Sequence, residues 1–474
     1  MSIAGASWRF RLSVGALMAA IVVLQWPSTQ RAHFEGDEVV LTFLAERLRV
    51  DPTNYSLRGP IVGDAATRFI RDTWSPGARF DAEITAPVDP ARGERLRTYA
   101  EWLIGLESAE VLMRPPSRGP DGRPVDRRVP AYDPEVYDRP FFFHPPFVPY
   151  LLAAARAAGG GAAAALVSIF AQALCVGATG LLGRRLAGET AGILAAALLA
   201  LDPITWLCGA RLWIDGPLQL MLTVGVLLSV RAFQNGGVAA FVVAGLACGL
   251  AAVTKMPALL AVPALVAAAW CSTRRATRAE LIAGVAAFLL VFGPWLVITK
   301  VHYGAFLPAA HPSQWLIDNF PYVRMLTERP AYFYFAALPL VAPVYLLLLP
   351  ALLGIGRRAE RSAGAAGGGA LLISGAWAVG VVAAMVVMGM MKWGFQLRYL
   401  APAMPALCLF VAAWLVHAPR WTWLIALVFG LIGWWSGFAS VAPPPIAEVR
   451  PVLLERFVLE PRGQSLRDFW PGMW

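Results

Sequence analysis

Charge is what this sequence has least of. Only 15% of its 474 residues are charged, where a soluble domain carries roughly a quarter. A water-facing globule of this length is thereby excluded. Cysteine is scarce as well. Cys175, Cys208, Cys248, Cys271 and Cys408 are scattered, without a CxxC pair or a Cys/His cluster, which argues against a disulfide framework or a thiolate metal site. No internal repeat is visible, and GAAGGG at 364–369 reads as a flexible connection rather than a phosphate cradle. Acids number 30 against 40 Lys and Arg, a formal net charge of +10. That excess does not point to nucleic acid. Much of it lies in short Arg-rich connections between apolar runs, where membrane orientation places it.

What is present in quantity is apolar: 58% of the residues are hydrophobic and the mean hydropathy is +0.59. The runs are rich in Leu, Ala, Val and Phe and do not alternate with polar residues, so they predict membrane helices rather than barrel strands. Windows of about 20 residues, the length that crosses a bilayer, fall near 7–26, 161–183, 188–209, 213–232, 237–254, 256–272, 279–299, 331–354, 368–391, 397–416 and 421–441. The sequence therefore predicts an all-α polytopic membrane protein with about eleven transmembrane helices. In the first window Arg9 and Arg11 precede LSVGALMAAIVVLQW and no clear A-x-A cleavage site follows, so a retained helix is favoured over a signal peptide.

Arginine then sets the orientation. With the N-terminus inside, one set of connections holds Arg184, Arg185, Arg231, Arg274, Arg275, Arg278, Arg357, Arg358, Arg361 and Arg420. The alternate set holds only Arg211, Lys255, Lys300, Lys392 and Arg398. This count holds if Pro145–Ala158, short, proline-led and carrying Arg156, lies at the interface instead of spanning. The expected organisation is a first transmembrane helix at 1–26 and a large extracytoplasmic loop with juxtamembrane helices at 27–160. A helical core follows at 161–441, with an outer loop at 300–330, and an outer tail at 442–474 closes the chain. Val40, Phe43, Leu44 and Leu48 share a helical face in that first loop, and Leu96–Met113 is a second amphipathic stretch.

The polar residues able to carry chemistry collect on the predicted outer side. Asp37 and Glu38 open the amphipathic helix. They suit an N-terminus as cap and dipole partner, and equally a carboxylate that takes a proton from an attacking hydroxyl. Asp215, in ARLWIDGPLQL, also stands at a helix start, before Pro217. An acid at that depth calls for a partner or a wet cavity, and Arg211 is the nearest candidate. His144 opens HPPF as a turn residue. With Asp133, Glu135 and Asp138 it could instead supply ligands to a divalent metal, the one cofactor these side chains suggest. Lys255 and Arg398 sit at outer helix ends, placed either to snorkel or to bind a phosphate on an isoprenoid, with Arg211 and His144 beside them.

GDEVVLTFLAERL, FFHPPFVPYLLA, ARLWIDGPLQLML, GLACGLAAVTKMPALL, FGPWLVITKVHYG and RYLAPAMPAL follow one another in this order. In that order the sequence resembles the GT-C superfamily of polyprenyl-phosphate-dependent glycosyltransferases, nearest the protein O-mannosyltransferase and lipid A aminoarabinose transferase group. The resemblance implies the GT-C fold with a large first outer loop, and a sugar donor carried on a polyprenyl phosphate. It further implies inverting transfer to an extracytoplasmic hydroxyl acceptor, in the plasma (inner) membrane. By position, Asp37 looks like the general base, Glu38 its support and Asp215 the second outer acid, while Lys255 and Arg398 fall where cations face the donor phosphate. Val39 and Val40 stand where several relatives carry an Arg-Tyr pair, and His144 where aminoarabinose enzymes often carry Lys. The competing readings are a glycan ligase using polyprenyl diphosphate, a lipid or glycan transporter, and an inactive relative serving as partner or sensor. A transporter predicts buried mid-membrane charges, broken helices and internal repeats.

Overall fold

The computed structural model describes residues 7–27, 37–56, 117–118, 124–125, 144–307, 327, 329–359, 367–393 and 396–441. The helices are α1 (Trp8–Gln25), α2 (Asp37–Val50), α3 (Phe147–Ala187), α4 (Glu189–Ala200), α5 (Pro203–Ala210), α6 (Asp215–Asn235) and α7 (Val238–Thr254). They continue as α8 (Val262–Trp270), α9 (Arg278–Tyr303), α10 (Phe333–Val341), α11 (Leu348–Ala359), α12 (Gly367–Met388), α13 (Met404–Leu415) and α14 (Arg420–Val441). Short 3₁₀ turns at Met256–Ala261, Pro343–Leu347 and Leu397–Ala403 lead into α8, α11 and α13. Among the described residues the extended structure is one antiparallel ladder, Ser117–Arg118 (β1) against Pro124–Val125 (β2).

Every apolar window of the sequence falls on helix, yet the windows are not equivalent. Among the described residues six helices are long and apolar enough to cross a membrane, or up to eight if each of two bent pairs is one span. Val238–Thr254, Met256–Trp270 and Arg420–Trp435 are shorter apolar helices. The chain is an integral multi-pass membrane protein. α4 and α5 meet at a 62° bend, and α10 and Pro343–Leu353 at 114°. Proline explains both positions: Pro203 and Pro343 each lack the N–H that would continue the preceding helix.

α3 is the central element, packing against α1, α2, α4 and α6. Its backbone leaves helical geometry at Gly159 and Gly160, where Gly160 has φ 73°, a conformation that glycine adopts without the Cβ clash. The break separates an arm at 147–158, the segment read as interfacial, from the long apolar rod that follows. α7 and α9 lie so close that a Cβ on Gly245 would stand 2.1 Å from the Gly284 carbonyl oxygen. Small residues allow this approach, the usual route to tight helix pairs in lipid.

The connections sort to two ends of the bundle. At one end the Ser7 hydroxyl and backbone N–H donate to Glu189, at 2.5 and 2.9 Å, and Arg184 pairs with Glu189 at 3.3 Å. Arg185 donates to Gln234 and Asn235 at 2.6 and 2.8 Å. Glu280 accepts from the Gly237 N–H and from Arg274, both at 2.6 Å. The start of α1, the end of α3, the end of α6 and the start of α9 are thereby tied together. Since α6 finishes at this end, Asp215 at its start lies at the other.

Candidate functional site

α6 and α7 form a helical hairpin turned at Gly236–Gly237, both at positive φ, so the residue that opens α6 meets the one that follows α7. Lys255 Nζ donates to Asp215 Oδ1 at 2.8 Å. Asp215 is 2% exposed and Lys255 15%. The sequence pointed to Arg211 as the partner and to capping as the structural alternative; the structure corrects both. Ile214 occupies the N-cap of α6 without a side-chain cap bond, and the Asp215 carboxylate turns to the lysine instead. A four-residue spacing brings two side chains together only on a continuous helix, and the chain between Arg211 and Asp215 is not helical.

Two aromatic rings gather the remaining cations. The Arg398 guanidinium carbon lies 4.9 Å from the Trp213 ring centroid and 5.5 Å from that of Tyr399. Lys255 Nζ approaches the same Tyr399 ring at 5.5 Å, and Arg211 lies over Trp213 at 5.9 Å. Arg398 Nε donates to Gln396 Oε1 at 2.6 Å, which fixes the plane of the guanidinium. Lys255 and Arg398 feel each other's charge. In this group three cations and one carboxylate stand together among the described residues, the cations held on ring faces that favour them. Chemically it suits an anion, with arginine as a planar fork and lysine as a point charge.

Sequence reasoning passed over several members. Trp213 and Tyr399 stand within two residues of Asp215 and Arg398, and an aromatic so near a buried ion is the signal that could have marked them. Arg329 was also missed. It is buried and lies 4.4 Å over Phe333, at the start of α10. Its signal was an arginine at the edge of the apolar run YFYFAALPLV.

The second part of the candidate site is α2, whose first two residues are Asp37 and Glu38. The side chains of both lie outside the described residues, as do Asp133, Glu135 and Asp138 altogether. α2 buries Leu41, Leu44 and Leu48 and packs against α3. At roughly 1.5–3 kcal/mol per buried leucine this fixes the helix firmly. The following turn adds a polar tie: Tyr55 OH donates to the carbonyls of His144 and Pro145 at 2.9 and 3.3 Å. Burial pushes the Tyr55 phenol well above its ordinary value, so it stays a donor. Its ring stacks on Tyr150 at 6.1 Å and meets Trp295 edge-on at 6.2 Å. The backbone of His144 thus anchors the start of α3. Among the described residues no three of His, Cys, Asp and Glu converge as a metal site would require.

Residues 143–298, about a third of the chain, match the family described as dolichyl-phosphate-mannose-protein mannosyltransferase. That stretch contains Asp215 and Lys255. No curated protein matches the chain in sequence. In three dimensions the chain is similar to ArnT from Cupriavidus metallidurans bound to undecaprenyl phosphate, with TM-score 0.53 and 16% identity. The match covers 88% of this chain and 62% of that ArnT. The apo state of the same ArnT gives TM-score 0.50 at 17% identity, covering 87% of this chain and 61% of that one. The chain therefore spans less than two thirds of the length of the protein it is similar to. Over the part they share, the architecture is that of the GT-C superfamily, and this chain has the GT-C fold.

Proposed function

We propose that the protein is a glycosyltransferase that moves a sugar from a polyprenyl-phosphate donor to a hydroxyl acceptor on the extracytoplasmic side of the plasma (inner) membrane. The observation that carries this reading is the gathering of Lys255 and Arg398 on Tyr399 and Trp213, beside Asp215, at the bundle end away from α1's start. A cationic group at a helix-bundle end can hold a phosphate at the bilayer surface while an isoprenoid tail stays in lipid. The match to the dolichyl-phosphate-mannose-protein mannosyltransferase family and the ArnT complex with undecaprenyl phosphate support the same donor class.

In this mechanism the acceptor oxygen attacks C1 of the sugar and the Asp37 carboxylate takes its proton, with Glu38 in a supporting role. The bond from C1 to the phosphate oxygen breaks, and its electron pair leaves with the lipid phosphate from the opposite face. The configuration at C1 is inverted. The leaving group is already an anion, so Lys255 and Arg398 stabilise it electrostatically without donating a proton. Asp215 keeps Lys255 charged and aimed. The decisive experiment incubates purified protein with a polyprenyl-phosphate sugar and compares wild type with Asp37→Asn. Loss of transfer with an unchanged melting temperature supports the assignment, and unchanged turnover removes it.

A further inference from the structure

Arg398 sits on a 3₁₀ segment, Leu397–Ala403, which is a poor scaffold for a binding group because its hydrogen bonds are less well aligned than those of an α-helix. What steadies it is a buried polar chain. Gln219 Nε2 donates to the Ala401 carbonyl at 2.7 Å and to Thr205 Oγ1 at 2.9 Å. The Ala401 carbonyl accepts the Met404 N–H in the 3₁₀ pattern. It has room for a second donor because Pro405, at the next position in an α pattern, has no N–H. A carbonyl can only accept, so the amide nitrogen of Gln219 must face it.

The chain continues through Thr205, whose backbone N–H donates to Asp202 Oδ1 at 2.7 Å, capping α5. Asp202 Oδ2 accepts from Tyr345 OH at 2.8 Å. Gln219, Thr205, Asp202 and Tyr345 are all buried. Asp202 lies at the bend between α4 and α5, and Tyr345 in the turn that bends the second pair. Gln219 itself is one helical turn from Asp215 on α6, and Ala401 is three residues from Arg398.

We propose that Gln219 is a positioning residue: by bridging Thr205 and Ala401 it fixes the separation between the Asp215–Lys255 pair and the Arg398 guanidinium, and so shapes the phosphate site. This role rests on the donor-phosphate reading above. Gln219 reaches no anion itself; it acts through the backbone that carries Arg398.

The test uses the full-length protein in detergent with undecaprenyl phosphate as the probe. Two variants break the bridge: Gln219→Leu removes the donor, and Thr205→Val removes one acceptor while keeping shape, so the test survives if the first does not fold. Hydrogen exchange of peptides covering 397–403 reports on the segment without any ligand, with α9 as the reference. Both variants should exchange faster there and unchanged in α9. Affinity for the lipid phosphate should fall on the order of tenfold in Gln219→Leu, the scale on which outer partners of a binding group act. In an Arg398→Ala background the same substitution should add nothing further. Unchanged exchange at 397–403, or an equal loss with and without Arg398, overturns the role of Gln219. If instead Arg398→Ala and the paired Lys255→Met/Asp215→Asn variant bind the lipid as wild type does, the phosphate reading itself falls.

Discussion

The Asp215–Lys255 pair makes an asymmetric prediction. Lys255→Met leaves the Asp215 carboxylate 2% exposed and without its 2.8 Å partner. Removing one member of a buried pair costs about 3–5 kcal/mol because the other charge stays uncompensated. Arg398 is close enough to act on Lys255, itself 2.8 Å from Asp215, so a second cation stays near the carboxylate and places the expected loss near the lower end, about 3 kcal/mol. Asp215→Asn should cost less, about 1 kcal/mol, because the lysine's four-carbon stem can carry its ammonium toward solvent. Lys255 is already 15% exposed. The double variant Lys255→Met/Asp215→Asn removes both charges and should recover most of the loss. Melting in one detergent at one scan rate reads these differences. For Lys255→Met the drop should be on the order of 6–12 °C, given about 2–4 °C per kcal/mol for a sizeable domain. Binding of undecaprenyl phosphate should not recover in the double variant, since the cation is gone. An Asp215→Asn protein less stable than Lys255→Met, or a double variant that regains no stability, would refute the buried-pair reasoning.

Other parts of the molecule give shorter tests. Tyr55→Phe removes the donor to the His144 and Pro145 carbonyls and should cost about 1–2 kcal/mol. Limited proteolysis should then cut more readily between α2 and α3. Reporter fusions at Arg185 and Arg358 should read cytoplasmic and one at Ser313 external; the opposite pattern would move the candidate site to the cytoplasmic side. Sugar transfer should survive chelation by EDTA if the acids act without metal. Complete loss restored by a divalent ion would favour ligation by Asp133, Glu135, Asp138 and His144.

The helices were legible because lipid imposes one simple requirement, a long apolar run whose backbone bonds are internal. The bends were not predicted, although LDPIT and APVY contained their cause in Pro203 and Pro343. Hydropathy averages over a window and does not register a missing N–H. The pairing of Asp215 with Lys255 could have been found from α6 and α7 as a hairpin of 21 and 17 residues with a glycine turn. Adjacency in sequence suggested Arg211 instead. Arg398 was recognised as a cation at a helix end. Its neighbours Trp213, Gln396 and Tyr399 depend on how a 3₁₀ segment packs, and no periodicity in the sequence describes that.

Two broken spans would at first favour transport, since transporters hold substrate where half-helices end near mid-membrane. The chemistry of these breaks points elsewhere. A transporter's half-helix ends keep their polar groups for the substrate, whereas here Asp202 spends both carboxylate oxygens on the Thr205 N–H and the Tyr345 hydroxyl. Asp202 is 1% exposed, Thr205 0% and Tyr345 3%, so the bends are packed with protein. Cys408 and the Met404 thioether close on the same hydroxyl, at 3.6 and 3.3 Å. In the Asp215–Lys255 pair at the bundle end, Lys255 keeps 15% of its side chain exposed. Breaks sealed in this way fix the 3₁₀ segment and the angle of α5 rather than opening a path, and the cluster of Asp215, Lys255 and Arg398 stays at one end of the bundle.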